Sequence, residues 1–298
     1  MMAMMTIVTE KYSWVSELQR GPLERCFCKR GKSRLSGWQG NMERLNPRSV
    51  LVTGSNRGIG LEMIKQLAEK SNPPQWIFAT CRDPEGPRTQ DLRTLAAQHQ
   101  EIVIIPLNIT DPSSIKSAVT MVTERLNGTG LNLLINNAGI ASHDSKVESQ
   151  APEAMAEVYK TNVIGPMMIS QAFLPLLRKA SRDSPKKGMS CSKASIVNMS
   201  SYAGSITEVY LWNYGQVVPY RCSKAALNML TRCQSLSFRD DEILCVTLHP
   251  GWVLTDMGGN MAQMTASSSV AAILNLLADL SEKETGTFLN WEGKVLPW

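Results

Sequence analysis

A tyrosine and a lysine four positions apart, Tyr220 and Lys224, are the residues of this sequence best suited to acid–base chemistry. Residues at positions i and i+4 share one face of a helix, with Cβ atoms roughly 6 Å apart. A free phenol has a pKa of about 10, and a neighbouring ammonium group favours the phenolate and lowers that pKa. The pair therefore predicts a tyrosine that donates or accepts a proton near neutral pH, although such pairs also occur on helices without any chemical role.

Two further polar segments each follow an apolar run. Ser200 and Ser201 follow residues 194–199, and Asn136-Asn137-Ala138-Gly139 follows residues 131–135. A serine hydroxyl in this position can donate a hydrogen bond to a carbonyl oxygen and polarise it, but serine also caps turns and helices. The small and amide residues let a flat ring lie against the backbone, or they form an ordinary turn.

A third segment, Thr53 to Gly60, has the glycine spacing G-x-x-x-G-x-G and lies between an apolar run and an amphipathic helix. Glycines let the backbone approach a ligand closely, and free N–H groups at a helix N-terminus bind phosphate. The segment predicts a nucleotide-phosphate site. An ordinary strand-to-helix turn is the alternative when it is considered alone.

The elements that must position these segments alternate along the chain. Short apolar runs predict strands at 49–52, 75–80, 102–107, 131–135, 194–199, 243–248 and 288–290. Amphipathic stretches predict helices at 59–69, 91–98, 110–126, 152–179, 220–238 and 265–280, with bends at Gly165-Pro166 and Pro175. Such alternation indicates βα units and a parallel sheet. We expect one doubly wound α/β domain over residues 48–298, with a seven-stranded parallel sheet flanked by helices. Its ligands should bind beyond the carboxyl ends of the strands.

The net charge of +5 is carried by residues 1–48, and the rest of the chain is balanced. We therefore expect residues 1–47 to be a basic, disordered extension, and the domain itself offers no charge argument for nucleic acid. No segment reaches the length of a membrane span, and the start of the chain does not have the pattern of a signal peptide. We predict a cytoplasmic protein.

The seven cysteines are odd in number, and their spacing does not match a zinc site. Free thiols in a reducing compartment are expected. Cys81, Cys222, Cys233 and Cys245 are predicted to be small buried side chains. The three histidines, His99, His143 and His249, are too far apart in sequence to suggest paired ligands, so no metal site is predicted.

Six motifs occur in one order along the chain: T-G-x-x-x-G-x-G (53–60), N-N-A-G (136–139), Asn162, S-S (200–201), Y-x-x-x-K (220–224) and H-P-G-W-V-x-T-D-M (249–257). Each is weak alone. Together they resemble the short-chain dehydrogenase/reductase family across residues 48–298, and in detail the sniffer-type carbonyl reductases and C-factor-like proteins. The resemblance implies a Rossmann-type domain.

The resemblance also implies roles for individual residues. Tyr220 would be the general acid, and Lys224 would lower its pKa and hold the nicotinamide ribose. Ser201, rather than Ser200, would polarise the carbonyl. Asn162 would hold a helix kink and a water that supplies protons to Lys224. The cofactor residues implied are Gly54, Ser55, Asn56, Arg57, Gly58, Ile59, Gly60, Arg82, Asn108, Ile109, Asn137, Ala138, Gly139, Tyr220, Lys224, Pro250, Gly251, Val253 and Thr255.

Charge near the second strand bears on the choice of cofactor. A ribose 2′-hydroxyl is typically bound by an acid there, whereas a 2′-phosphate requires arginine. Arg57 and Arg82 are in reach of that position, so NADPH is predicted over NAD. The adjacent Asp83 would instead favour NAD, and the alternative for both arginines is that they are ordinary solvated charges on the surface. The family usually has Leu-Asp where this chain has Leu107-Asn108. The adenine contact is therefore expected to be weaker, or to be made by the backbone at Ile109.

The substrate side is expected to comprise Tyr202 to Pro219 together with the region after Gly251. The segment from Tyr202 to Pro219 is apolar and aromatic, with one acid, Glu208, and no lysine or arginine. It predicts a pocket for a small hydrophobic carbonyl compound such as a quinone, an aromatic ketone or a lipid-derived aldehyde, unless the aromatics form a dimer contact. Residues 257–264 have glycine hinges and are expected to cover the cofactor as a lid. A signalling or sensor protein that binds NADP(H) and a hydroxysteroid or retinoid dehydrogenase remain as alternatives, and both a homodimer and a monomer are open.

Overall fold

A computed structural model of the chain describes residues 44–142 and 146–298. His143 and most of the expected basic extension lie outside these ranges. The strands are β1 (Ser49–Thr53), β2 (Trp76–Cys81), β3 (Ile102–Pro106), β4 (Leu133–Asn136), β5 (Ser195–Met199), β6 (Leu244–His249) and β7 (Phe288–Asn290). They form one seven-stranded parallel sheet in the order β3-β2-β1-β4-β5-β6-β7. The predicted doubly wound α/β fold is confirmed, and each strand lies within two residues of its predicted position.

Helices connect the strands on both sides of the sheet. They are α1 (Gly58–Ala68), α2 (Gln90–Gln98), α3 (Pro112–Leu126), α4 (Pro152–Tyr159), α5 (Gly165–Asp183), α6 (Val218–Ser237) and α7 (Ala266–Asp279). A π-helical turn, Lys160–Ile164, joins α4 to α5. Short 3-10 turns lie at Pro87–Thr89, Val147–Ser149, Tyr202–Gly204, Trp212–Tyr214 and Glu282–Glu284.

The sheet is buried on both faces, which is why its strands read as continuous apolar runs rather than alternating ones. Alternate residues of β1 divide between two core clusters: Val50 and Val52 pack with Met63 of α1 and Ile273 of α7. Leu51 packs on the other face with residues of α3 and α5, including Val122 and Phe173.

The strand order reverses between β1 and β4. Their connections leave on opposite sides of the sheet, which opens a crevice at the carboxyl ends of these strands. The glycine turn after β1, the N-N-A-G segment after β4 and the serines after β5 all reach this edge, as expected from the sequence.

The packed part of the chain begins earlier than residue 48. Leu45 has no exposed surface and belongs to the core, and the backbone N–H of Asn46 donates to Ser192 Oγ at 2.9 Å. Residues 44–47 therefore pack against the domain, whereas the prediction for residues 1–43 lies outside the described residues.

Two surface predictions need correction. The polar and basic composition of residues 181–193 predicts a surface loop, but α5 continues to Asp183 and the Lys193 side chain is buried, with an ion pair to Glu242. Cys81 and Cys245 are buried as predicted, whereas Cys222 and Cys233 are exposed. Both exposed thiols lie on the outer face of α6, and helical spacing alone did not reveal which face meets the sheet.

None of the helices within the described ranges has the length and apolar character that a membrane-spanning segment needs. In the same ranges, no three side chains of His, Cys, Asp or Glu are grouped so that they could hold a metal ion.

Candidate active site

A cleft of about 1070 Å³ lies at the carboxyl ends of the strands. Its walls come from the segments after β1, β2, β3, β4, β5 and β6 and from the loop that precedes α6. All the cofactor residues suggested by the sequence line this cleft except Ser55 and Gly60. The tertiary structure therefore brings together residues that are more than 160 positions apart in sequence.

The glycine turn and the N-N-A-G segment are joined by Thr53. Its Oγ1 accepts hydrogen bonds from the backbone N–H groups of Asn137 and Ala138, both at 3.0 Å, and Asn137 Nδ2 donates to the Thr53 carbonyl at 2.9 Å. Gly54 has φ of +69°, and a Cβ there would lie 3.0 Å from the Ala138 Cα. Thr53 was not among the candidate site residues, although it begins the motif that was recognised.

Ser55 and Gly60 support the turn from behind instead of facing the cleft. Ser55 is fully buried, and its Oγ donates to the Val52 carbonyl at 2.8 Å. A Cβ on Gly60 would lie 2.2 Å from the Gly54 carbonyl oxygen. Gly60 therefore lets the first turn of α1 approach the end of β1, and neither residue is placed to contact a ligand in the cleft.

Asn162 lies in the π-helical turn between α4 and α5. Its Oδ1 accepts from the Ile140 N–H at 2.9 Å, and its Nδ2 donates to the Ile140 carbonyl at 2.8 Å and to Ser223 Oγ at 3.0 Å. The predicted irregularity is therefore at Asn162, just before Pro166, which has no N–H to continue the helix. Asn162 links this turn to the segment after β4 and to α6.

Tyr220 and Lys224 lie on the face of α6 that forms the floor of the cleft. Lys224 is 5% exposed, and its Nζ donates to the Met199 carbonyl at 2.7 Å. The same nitrogen is 5.4 Å from the centroid of the Tyr220 ring. A Cβ on Gly139 would lie 3.2 Å from Asn162 Oδ1 and 3.7 Å from Lys224 Nζ, so a side chain at this position would fill the floor between them.

Burial governs the proton affinity of this pair. It raises the pKa of Tyr220, and a hydrogen bond with Ser201 opposes the rise. It lowers the pKa of Lys224 to about 8. The direction for Tyr220 is opposite to the one predicted from the helix spacing, because the phenol is desolvated and the lysine nitrogen lies over the ring and bonds to Met199.

The two adjacent serines have different environments. Ser200 borders the cleft but is only 3% exposed, and its Oγ donates to Asn228 Oδ1 at 2.7 Å, which links the end of β5 to α6. Ser201 lines the cleft beside Tyr220, and its Oγ also accepts from the Ala203 N–H at 3.2 Å. Ser201 is thus the serine placed to meet a ligand, and it caps the following turn as well.

Comparisons with known proteins agree with this arrangement. Residues 48–266 match the family model described as short chain dehydrogenase. The chain belongs to the short chain dehydrogenase family. The resemblance inferred from the six motifs is therefore confirmed.

Solved structures similar to this short chain dehydrogenase include two carbonyl reductases. The NADPH-bound carbonyl reductase from chicken fatty liver is 58% identical, with a TM-score of 0.82, and the match covers 85% of this chain and 100% of that one. Carbonyl reductase Sniffer of D. melanogaster is 37% identical, with a TM-score of 0.81 and the same coverage.

Curated relatives of this short chain dehydrogenase include C-signal of Myxococcus xanthus. It is 33% identical over 168 residues, which are 56% of this chain and 93% of that protein. An uncharacterized oxidoreductase of Schizosaccharomyces pombe, C663.06c, is 30% identical over 268 residues, covering 83% of this chain and 96% of that protein.

At the other end of the cleft, Arg57 of the glycine turn forms an ion pair with Asp256. A Cβ on Gly58 would lie 3.3 Å from Thr255 Cγ2, so the segment after β6 lies directly against the glycine turn. Arg82 and Arg88 also line this end. The sequence identified Arg57 and Arg82, whereas Arg88 and the acidic partner of Arg57 were not expected.

The side chain of Asn108, where an adenine contact is expected, forms hydrogen bonds within its own turn. Asn108 Oδ1 accepts from the Thr110 N–H at 3.1 Å and from Thr110 Oγ1 at 2.9 Å. The amide oxygen is therefore engaged within its own turn, although Asn108 and Ile109 both line the cleft.

The segment predicted as a lid is anchored at its far end. The Leu254 N–H donates to the Met264 carbonyl at 2.8 Å, and Trp252 Nε1 donates to the Gly258 carbonyl at 2.8 Å. Met257 and Gly258 line the cleft, whereas Met261 is exposed. Gly258 and Met264 are thus both bonded to the segment that follows β6, and the role of residues 257–264 as a lid stays a prediction.

The wall beyond Tyr220 is mainly apolar and aromatic. Of the residues suggested by the sequence, Tyr202, Tyr210, Leu211 and Val217 line the cleft, whereas Ile206 is 77% exposed and does not.

Trp252 lies in the region after Gly251, where the sequence predicted part of the substrate side, whereas His249 and Arg221 line the cleft without having been foreseen. Burial lowers the pKa of His249 to about 4, so its imidazole is neutral. Its ring centroid is 5.8 Å from that of Tyr202.

Proposed function

We propose that this short chain dehydrogenase reduces small hydrophobic carbonyl compounds to alcohols with NADPH. The chain is an NADP-dependent oxidoreductase of its family. The observation that carries the finer proposal is that Tyr220 and Ser201 are hydrogen-bonded to each other and line the same cleft as the glycine turn and the apolar segment before α6. The chicken and Drosophila carbonyl reductases support it as similar proteins.

The residues present fit a dinucleotide. The positive φ of Gly54 and the absence of a Cβ at Gly139 leave backbone surface open at two points along the cleft. The N-terminus of α1 presents free N–H groups to a pyrophosphate. Arg57 and Arg82 supply positive charge for a 2′-phosphate. When bound, NADPH supplies the hydride that adds to the carbonyl carbon.

The side chains of this protein would then bind the substrate and move one proton. Ser201 donates a hydrogen bond to the carbonyl oxygen and holds it next to Tyr220. The Tyr220 phenol transfers its proton to the oxygen as negative charge develops there. Its raised pKa suits this direction, because the phenol is protonated before the reaction. Lys224 stabilises the resulting phenolate, and Asn162 holds the π-helical turn behind it.

The substrate class follows from the wall. Tyr202, Tyr210, Leu211, Val217 and Trp252 present rings and aliphatic groups to the space beside Tyr220. A pocket of this kind favours quinones, aromatic ketones and lipid-derived aldehydes over anionic substrates.

The test is to mix the protein with NADPH and such a panel and to follow the loss of reduced nicotinamide absorbance. We expect turnover with apolar quinones and aldehydes and little with carboxylated analogues of similar size. Absence of turnover across the panel, with NADPH bound, would contradict the proposal.

A second candidate is a signalling or sensor protein that binds NADP(H), suggested by the similarity to C-signal. A protein that only binds the cofactor does not need the combination of Ser201, Tyr220 and the buried Lys224 at one site. Tight NADPH binding without any turnover would favour this candidate, whereas turnover restricted to steroids or retinoids would identify the third alternative. A cytoplasmic location remains a prediction, to be checked by fractionation, and light scattering would decide between a homodimer and a monomer.

A further inference from the structure

We propose that Arg221, the residue that follows Tyr220, is a positioning residue that shapes the substrate wall of the cleft. The inference rests on the proposed carbonyl reduction for its kinetic readout. Its structural part concerns residues 210–217, the segment that leads into α6, and it is tested separately below.

The Arg221 guanidinium donates hydrogen bonds to three backbone carbonyls of this segment. Its Nε donates to the Gln216 carbonyl at 2.7 Å, and its Nη2 donates to the carbonyls of Tyr210 at 2.8 Å and Gly215 at 3.2 Å. Its Cζ lies 5.6 Å from the centroid of the Trp212 ring. Arg221 is only 9% exposed, so its side chain is largely enclosed by the residues of this loop.

The conformation of this segment needs such support. Leu211 has φ of +55° and Val217 has φ of +37°, a left-handed region that non-glycine residues rarely adopt and that is exceptional for a β-branched side chain. Backbone in this region persists only where the surroundings determine it. The three hydrogen bonds to carbonyls and the stacking on Trp212 hold the backbone of this segment in its conformation. The backbone N–H of Arg221 also donates to the Val217 carbonyl at 3.0 Å.

The supported residues form the wall. Tyr210, Leu211 and Val217 line the cleft, whereas Trp212 does not. Because Arg221 is adjacent to Tyr220 in α6, the same helical turn positions both the phenol and the surface against which a substrate would lie. Arg221 itself borders the cleft, but its Nε and Nη2 donate to carbonyls of the loop, so its effect on the substrate is exerted through the position of the loop.

Lysine cannot replace arginine in this arrangement. A guanidinium is planar and presents several donors in a fixed fork, whereas an ammonium is a compact charge on a flexible stem. Arg221→Lys should therefore show an intermediate effect, and Arg221→Met, which keeps the length without the donors, should show the full effect. Cys222→Ser is the matched control, because Cys222 is the next residue of α6 and is exposed.

The kinetic test compares a bulky apolar quinone with a short aliphatic aldehyde. In Arg221→Met we expect KM for the quinone to rise by about tenfold, with kcat and the NADPH dissociation constant each changed by less than about threefold. KM for the short aldehyde should change much less. Trp212→Ala should shift the quinone KM in the same direction, because Trp212 contacts Arg221 but does not itself line the cleft.

Limited proteolysis tests the structural part without any substrate. Cleavage within residues 205–217 should be faster in Arg221→Met than in the wild type, and unchanged in Cys222→Ser. If the wild type binds NADPH but turns over no carbonyl, the proposed function fails, and the proteolysis result still decides the role of Arg221. Wild-type selectivity and wild-type cleavage in Arg221→Met would overturn the inference. If Arg221→Met does not fold, Arg221→Lys and Trp212→Ala provide the same comparison.

Discussion

Lys224 lies against the face of the Tyr220 ring, with its Nζ 5.4 Å from the ring centroid, and donates a hydrogen bond to the Met199 carbonyl at 2.7 Å. The lysine thus supports the tyrosine from the interior of the protein, and the phenol faces the cleft. This relationship separates their tasks: the phenol can transfer a proton, and the ammonium can stabilise the charge that remains.

Tyr220→Phe should remove the proton donor and leave the shape of the cleft nearly unchanged. We expect kcat for carbonyl reduction to fall by about 10²–10⁴-fold, with NADPH binding retained. Tyr159→Phe is the control, because Tyr159 is also a helical tyrosine but is 42% exposed and outside the cleft. Full activity in Tyr220→Phe would contradict the assigned role.

The activity should decline at alkaline pH. Burial lowers the pKa of Lys224 to about 8, so its positive charge is present below that pH and is lost above it. Burial raises the pKa of Tyr220, so its proton is retained over the same range. We therefore expect kcat/KM to fall with rising pH from about pH 8, since this parameter reports groups of the free enzyme.

Lys224→Arg tests whether the alkaline decline of kcat/KM arises from the loss of the Lys224 charge or from another titrating group. Arginine stays charged throughout the range, so the alkaline limb should move upward even if the maximal rate is reduced. Circular dichroism at each pH checks that the protein remains folded. An unchanged limb in Lys224→Arg would assign the titration to another group.

The ion pair between Arg57 and Asp256 should influence cofactor preference. Arg57→Ala should raise KM for NADPH about tenfold or more and leave KM for NADH nearly unchanged, because only NADPH carries the 2′-phosphate. Asp256→Asn should lower KM for NADPH at low ionic strength, since it removes a carboxylate that competes for the arginine.

The remote ion pair between Arg178 and Asp241 provides the control. Arg178→Ala removes an exposed charge of the same sign, and we expect it to leave both KM values unchanged. Equal effects of Arg57→Ala on NADPH and NADH would contradict the assignment of Arg57 to the 2′-phosphate.

Gly60→Ala should destabilise the protein, although alanine normally favours a helix over glycine by about 0.5–1 kcal/mol. The new Cβ would lie 2.2 Å from the Gly54 carbonyl oxygen, a backbone atom that cannot move without displacing the glycine turn. We expect a loss of about 2 kcal/mol or more in the free energy of unfolding, measured by urea denaturation, and weaker NADPH binding.

Gly128→Ala is the comparison for Gly60→Ala. Gly128 has φ of +83°, but nothing lies within 4 Å of its Cβ position. It should cost only the backbone strain of about 1 kcal/mol and leave NADPH binding intact. A stabilising effect of Gly60→Ala would contradict the steric clash between a Cβ at position 60 and the Gly54 carbonyl oxygen.

The fold and the position of the site followed from the sequence alone. Continuous apolar runs predicted buried parallel strands, and the Gly-, Asn- and Ser-rich segments after 52, 135 and 199 predicted where the cleft would be. These features are local. Each depends on residues that are close together in the chain, so the spacing of residue types is sufficient to predict them.

The remaining features depend on contacts between distant segments. The pairing of Arg57 with Asp256, the loop support by Arg221 and the burial of Leu45 arise because the sheet brings their segments together, and no local spacing encodes them. The serines within the motifs show the same limit, since Ser55 is buried away from the cleft and the Ser200 hydroxyl is bonded to Asn228, whereas Ser201 is the more accessible serine of the cleft. The pKa of Tyr220 illustrates it most directly. Helix spacing indicated a neighbouring charge that would lower it, whereas the desolvation that raises it exists only once the tertiary structure has formed.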